Sequence, residues 1–266
     1  QFQAQAFKEL LPSDGPVRCQ VVGKETADTI KQANRVKDYM NYQITEVMEE
    51  YTPEMDQMLF YLPLAGSTFK KVYYDPAAQR CKATFIHAED LVVPYNASDL
   101  YEAERISEVQ RVTKNTVAKR IASGFYRDVE LPEPFFNEDR AQKKYQELEG
   151  VTPQKYQDLY NFVEMHVDLD LPGYESDDGV KVPYIVTLDR DSMTIMSIYR
   201  NYKPNDPSRK RIPYFVHYKF LPGLGFYGFG LIHMIGGLSK AATGALRQLL
   251  DAGTLANLPA GFKSRG

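Results

Sequence analysis

The 266-residue sequence contains no tryptophan and only two cysteines. Cys19 and Cys81 fit no C-x-x-C pair and no His/Cys ligand spacing. A disulfide scaffold and a zinc module are therefore excluded, and the two residues read as free thiols of a reducing compartment. Positive charge is not in excess, since the formal net charge is −3. The chain as a whole is not a basic nucleic-acid binder; any contact with DNA must come from a local patch or from the geometry of an assembly. No phosphate-binding G-x-x-x-x-G-K-[ST] run exists, because Gly23-Lys24 is followed by Glu25. Internal repeats and low-complexity tracts are also missing. The most apolar stretch, residues 231–250, carries Lys240 and Arg247. Two internal cations argue against a membrane span.

What remains is an ordinary balance of apolar and charged residues, with a mean hydropathy of −0.43 and 19 tyrosines. The length suits one large domain or two smaller ones with a real core. The chain opens on "QFQAQAFKELLP" and closes on "AGFKSRG", which reads as a piece of a longer polypeptide.

Periodicity predicts a mixed α+β chain. Ile30, Ala33, Val36, Met40, Ile44 and Val47 recur three or four apart and predict an amphipathic helix over 30–50. Thr52-Pro53 predicts a second helix with Thr52 as its N-cap and a buried stripe of Met55, Met58, Leu59 and Leu62. From Ser67 the period becomes two, predicting a hairpin that turns at Asp75-Pro76. An extended stretch over 104–112 and a short helix ending at Gly124 follow, the helix capped by Thr113 or Asn115. A charged excursion comes next. Antiparallel strands resume at "NFVEMHVDLDL", "KVPYIVTLDRDSMTIMSIYRNY" and "KRIPYFVHYKF", and a long helix runs from about 230 to 255. The expected divisions are 1–103, 104–225 and 226–266.

Gly223, Gly225 and Gly228 spell G-x-G-x-x-G between a strand and a helix. A dinucleotide fingerprint needs a second parallel strand carrying an acid about 20 residues on, and here the helix runs through that position. Leu224, Phe226 and Tyr227 are bulky and suit a loop packed against protein. With Gly230, the motif reads as a hinge-like turn. In the helix that follows, Gly236, Gly237, Ala241, Gly244 and Ala245 are candidates for close subunit packing. Glycine costs about 1 kcal/mol relative to alanine inside a helix, so close approach must offset it. Ser239 sits within the helix pattern, not on a nucleophile elbow.

On a strand, Glu164, His166, Asp168 and Asp170 share one face, with Val163, Met165, Val167 and Leu169 on the other. Such a face could hold a divalent metal, as in a nuclease or hydrolase. The alternative is a half-buried strand showing its polar face to water. Lys114, Lys119, Arg120, Arg209, Lys210 and Arg211 form short basic clusters that read as solvated faces.

The segment 214–261, "YFVHYKFLPGLGFYGFGLIHMIGGLSKAATGALRQLLDAGTLANLPAG", closely resembles a characteristic segment of portal proteins of short-tailed phages. "GFYRDVELPEP" at 124–134, "PYIVTLDRD" at 183–191 and the helix-then-hairpin of 30–95 fit the same family. The resemblance implies a head-to-tail connector: a ring, usually of twelve subunits, at one capsid vertex. Double-stranded DNA is packaged and ejected through such a ring. It implies docking of the terminase large subunit, of head–tail adaptor or tail proteins, and of the major capsid or scaffold protein. It implies a structural role without catalysis, metal or cofactor. The place would be the virion, after assembly in the host cytoplasm. Residues 1–103 would be wing-like, 104–225 stem-to-clip material, and 226–266 the turn and a channel-side helix. Lys240, Arg247, Lys263 and Arg265, multiplied around a ring, would be the channel cations. Another virion structural protein, such as an adaptor, is the remaining alternative.

Overall fold

The computed structural model describes residues 1–76, 78–134, 159–173 and 179–257. They form an α+β chain with five helices and two antiparallel sheets. Helix α1 spans Phe2–Leu10, α2 Ala27–Tyr42 and α3 Tyr51–Ala65. The hairpin is β1 (Ser67–Asp75) and β2 (Arg80–Ile86). Then come β3 (Leu91–Val92), β4 (Arg105–Thr113), α4 (Lys114–Ala122), β5 (Leu159–Leu169), β6 (Val182–Asp189), β7 (Ile195–Arg200), β8 (Phe215–Lys219) and α5 (Leu231–Asn257).

Local chemistry explains the helix ends. Thr26 and Thr29 cap α2 reciprocally, each backbone N–H donating to the other's hydroxyl. The helix stops at Tyr42 and passes into a π-helical turn, Gln43–Val47, so the single helix expected over 30–50 is broken before its end. None of its residues is buried, and Ile30, Val36 and Met40 stay exposed. The apolar spacing is real, but nothing among the described residues covers it. Helix α3 begins at Tyr51 with Glu50 as its N-cap, so Thr52 and Pro53 lie in its first turn. Pro53 lacks an N–H that the first turn leaves unbonded anyway, so it fits there. The expected stripe of Met55, Met58, Leu59 and Leu62 is buried. Thr113 caps α4 by accepting from Thr116 N–H.

The smaller sheet has the order β2-β1-β8 and the larger β3-β4-β5-β6-β7. Strand pairing ties distant parts of the chain together. β8 pairs with β1 across some 150 residues, β3 pairs with β4, and Leu221 bridges Phe229. Alternation along β1 sends Phe69, Lys71 and Tyr73 to one side and Thr68 and Lys70 to the other. On the Lys70 side, α1 and α3 cover the smaller sheet through Met55, Met58, Leu59, Phe7, Phe85 and Tyr218. On the Phe69 side the two sheets meet around Phe69, Ile86, Leu91, Ile106, Phe215 and Phe226.

The glycine-rich turn closes that core. Phe226 inserts between the sheets and stacks on Phe69 and His217, while Leu224 is fully exposed. Three of its four glycines meet protein backbone. A Cβ on Gly223 would lie 2.2 Å from Tyr227 O, one on Gly228 2.6 Å from Gly66 O, and one on Gly230 2.3 Å from Leu64 O. Gly66 ends α3 with φ of +83°, and its carbonyl accepts from Phe220 N–H. Ser67 Oγ accepts from Gly228 N–H. At Gly228 and Gly230, glycine is required by close approach to α3. Gly225 meets open space.

Gly230→Ala drives a methyl group into the backbone of residues 64–66 at the end of α3, which cannot yield like a side chain. The expected cost is about 2–3 kcal/mol, the upper range for overpacking. A urea titration of wild type against Gly230→Ala and Gly225→Ala checks it; Gly225→Ala is expected to change stability much less.

Candidate functional site: a buried ion cluster between the sheets

In the β4–β5 pairing, Glu108 stands directly opposite Glu164. Like charges at such a position destabilise a sheet. Lys71 of β1 resolves the conflict. Its Nζ donates to Glu108 Oε2 and Glu164 Oε1, both at 2.6 Å. Gln110 Nε2, two residues along β4, donates to Glu108 Oε2 at 3.0 Å and Glu164 Oε2 at 3.1 Å. His166, only 1% exposed, places Nε2 2.9 Å from Glu164 Oε1. On its other side the Asn201 amide nitrogen lies 3.2 Å from Nδ1. An amide N–H can only donate, so Nδ1 accepts and Nε2–H donates to Glu164. Phe215 and Tyr214 meet the imidazole edge-on and keep its surroundings apolar.

Burial alone would raise the Glu164 carboxyl. The hydrogen bond from His166 and the charge of Lys71 outweigh it and hold the carboxyl down at about 2. Burial likewise opposes the Lys71 ammonium, but the attraction of Glu164 and Glu108 wins and pushes it above the ordinary lysine value. The next residue behaves oppositely. Lys70 lies on the α3 side, with Nζ 4.3 Å from the centre of the Tyr51 ring and no hydrogen-bond partner among the described residues. Burial drives it down to about 8, only partly offset by Glu54 and Glu50.

The cluster floors a cleft of about 850 Å³ between the sheets. Tyr73, Tyr74, Phe125, Tyr199 and Tyr214 are among its lining residues. Phe125 and Tyr199 stack with centroids 5.2 Å apart, and the Tyr199 hydroxyl donates to Phe125 O at 2.6 Å.

Two expectations for β5 change. Its polar face was expected in water; Glu164 and His166 instead turn inward, with Glu164 on Lys71, because β1 supplies the counter-charge, while Asp170 stays exposed. Met165, Val167 and Leu169 do share the other face, packed with Val182, Tyr184 and Val186. A metal-dependent nuclease or hydrolase would use Glu164, His166 and Asp168 of the polar face. Glu164 and His166 do meet, but Asp168 is drawn off to Arg211 at 2.8 Å. The Lys71 ammonium occupies the space between the carboxylates where a divalent ion would sit. Among the described residues no group of three or more His, Cys, Asp and Glu is placed to hold a metal.

The helix α5 residues stand apart from this site. Gly236, Ser239, Lys240, Thr243, Gly244 and Arg247 line a shallow groove along one exposed face. Gly237, Ala241 and Ala245 fall on the adjoining flank at about 100° per residue. No Cβ clash is met at Gly237 or Gly244. Lys263 and Arg265 lie outside the described residues. Sequence reasoning missed Lys71, Glu108, Gln110 and Asn201. One signal was present: Lys71 stands between Phe69 and Tyr73 on one strand face, where a charge needs a partner. No protein-family model matches the chain, and no curated protein matches it.

Removing the Lys71 charge leaves two buried carboxylates facing each other. Lys71→Met is expected to cost about 3–5 kcal/mol at pH 7. Lys70→Met removes a charge with no hydrogen-bond partner and is expected to leave stability unchanged or higher. Chemical denaturation of both variants checks the contrast.

The Glu164 shift also predicts an acid limb. Its folded value lies below the ordinary 4.5, so its contribution is complete above pH 4.5 and is lost as pH falls toward 2. Lys71 is shifted upward, so its contribution is complete below 10.5 and is lost only beyond that as pH rises. Urea midpoints measured from pH 2 to 7 are expected to fall steeply below 4.5, and this limb is expected to be weaker in Glu164→Gln.

Proposed function

We propose that this chain is a structural subunit of a phage portal ring, with α5 as its inter-subunit and channel-side element. The observation that carries the reading is the state of α5. It has 27 residues, about 40 Å at 1.5 Å per residue, and none is buried. Among the described elements it meets the body through α3, at the end anchored by Gly230. Its surface is nonetheless two-sided. Leu231, Ile235, Leu238, Ala242, Leu246 and Leu249 fall on one side of the helical wheel, and Lys240, Arg247 and Asp251 on the opposite side. Leu238 is 73% exposed and Leu249 70%. An apolar face of this extent is stable in water only against another surface.

A closed ring of identical subunits supplies such a surface at every interface. The apolar side then packs between neighbours, and the side with Lys240 and Arg247 is left for the channel. A weak net charge of −3 suits passage of DNA, because many phosphate contacts would hold the duplex in place. In this reading the chain has no catalytic role. Its partners are copies of itself, double-stranded DNA in transit, the terminase large subunit, adaptor or tail proteins, and the capsid or scaffold protein. The portal-like reading of the fold, with 1–103 as wing and the β4–β7 sheet as stem-to-clip material, belongs to the same proposal.

Electron microscopy of the intact subunit tests it: rings with a central hole are expected, and monomers without holes overturn it. Leu238→Asp with Leu249→Asp is expected to abolish rings while the chain stays folded by circular dichroism. Replacing Lys240, Arg247, Lys263 and Arg265 by alanine is expected to lower DNA packaging in a salt-dependent way. Normal packaging at both low and high salt would remove these cations from the channel.

A further inference from the structure

Helix α5 is not alone in burying nothing: no residue of α2 is buried either. Yet α2 also has an apolar side. Ile30, Ala33, Val36, Met40 and Ile44 recur three or four apart, and Val36, in the middle of the run, is 47% exposed. A helix of 16 residues draws most of its stability from packing such a side. The polar contacts of α2 fix its ends and leave that side open. Thr26 and Thr29 cap its start. Near its end, Asn41 Oδ1 accepts from Val17 N–H at 2.8 Å, and Asn41 Nδ2 donates to Val17 O at 3.2 Å. Just beyond, Arg80 Nη1 donates to Val47 O at 3.0 Å. The helix is thus held in place with its stripe uncovered.

The two helices are mounted at opposite ends of α3. The π-helical turn leads α2 into the start of α3, whereas Gly230, at the root of α5, lies against Leu64 and Gly66 at its last turn. Between these mounts α3 runs 15 residues, about 22 Å. Exposure of Val36 and of Leu238 shows that neither helix covers the other. The accessible surface also calls for more than one partner. It totals 19576 Å² for a chain of 30.4 kDa, where a compact monomer of that mass has about 11,800 Å². With every residue outside the described set counted as fully exposed, an excess of about 2,600 Å² still belongs to the described residues. A standard interface takes about 800 Å² from each partner. One dimer contact would leave most of that excess open; two different faces on each copy take the larger part of it.

We infer that α2 is the face that receives α5 of the neighbouring copy: the apolar side of α5 packs on the Ile30–Ile44 stripe of the next subunit. A closed ring of more than two identical subunits needs two different, complementary faces on each of them. The chain carries two uncovered apolar helices at opposite ends of one buried helix, which meets that requirement. The α2 run extends about 21 Å and covers most of the about 27 Å from Leu231 to Leu249. The inference rests on the ring reading and names the receiving face that reading leaves open.

Cysteine pairing in the intact subunit tests it, with Cys19 and Cys81 replaced by serine throughout and a short bismaleimide as cross-linker. Two pairs cover both directions of packing: Met40→Cys with Leu238→Cys, and Val36→Cys with Leu246→Cys. A chain carrying both cysteines of a pair is expected to give a ladder of dimers, trimers and larger species on a denaturing gel. Each single-cysteine chain is expected to remain monomeric there, and a mixture of the two singles to stop at dimers. Met40→Asp is expected to abolish rings in electron microscopy with the circular dichroism unchanged. A dimer from Leu238→Cys alone would mean that α5 packs on α5, and overturns the inference. Rings that persist in Met40→Asp, or the lack of a ladder from both pairs, overturn it as well. If wild-type rings are seen beside such a failure, the ring reading stands and only the assignment of α2 falls. Wild-type monomers without rings or ladder remove both.

Discussion

One ammonium group holds the two sheets of this protein in register. Glu108 and Glu164 face each other across β4 and β5, and neither could be buried there without a cation. Lys71 comes from the other sheet, so this contact ties β1 to both β4 and β5 beside the apolar core around Phe69. Its 2.6 Å bonds to both carboxylates leave little freedom in how the sheets approach. Gln110 donates further to Glu108 Oε2 and Glu164 Oε2, and His166 to Glu164 Oε1. The sheets close tightly around Phe69 and Phe215 on one side of this contact and leave the cleft on the other.

The adjacent residue shows how much depends on pleat direction. Lys70 and Lys71 have the same chemistry, but alternation along β1 sends them to opposite faces. Lys71 finds two carboxylates. Lys70 finds the Tyr51 ring and a covering of helix, and its charge is disfavoured by burial. A shift of one residue in β1 would exchange these environments and leave the two glutamates without a counter-ion. Register is therefore specified by charge as well as by the apolar pattern.

The same strand sets the exit of α5. β1 pairs with β8, β8 leads into the glycine turn, and Gly228 and Gly230 lie against the end of α3 with no room for a side chain. The body of the protein thus delivers α5 from that anchored end, while no residue of the helix is buried among the described residues. In the proposed ring, that anchored end and the exposed two-sided surface of α5 would serve packing between identical copies. The cleft lies at the far side of the ion cluster from the packed core.

Periodicity was enough to recognise much of the chain. The stripe of Met55, Met58, Leu59 and Leu62, the hairpin after Ser67, the β5–β7 strands and the long helix after Gly230 all follow from apolar spacing and turn residues within a dozen neighbours. The glycine turn was legible as a packed loop instead of a phosphate cradle, from its bulky Phe226 and the missing second strand. The break of α2 at Tyr42 was not, because a π-helical turn leaves the apolar spacing almost unchanged. The ion cluster was not legible either. Lys71 and Glu164 are 93 residues apart in sequence, and nothing local says which strand will cover the polar face of β5. Sequence by itself determined element type, the alternation of each strand and the two-sidedness of α5, since these depend on neighbours a few residues away. Only the tertiary structure decided that Glu164 and His166 of β5 turn inward, that Lys71 takes the place between Glu108 and Glu164, and that a cleft opens beside them. Those facts depend on which distant strand arrives with which charge.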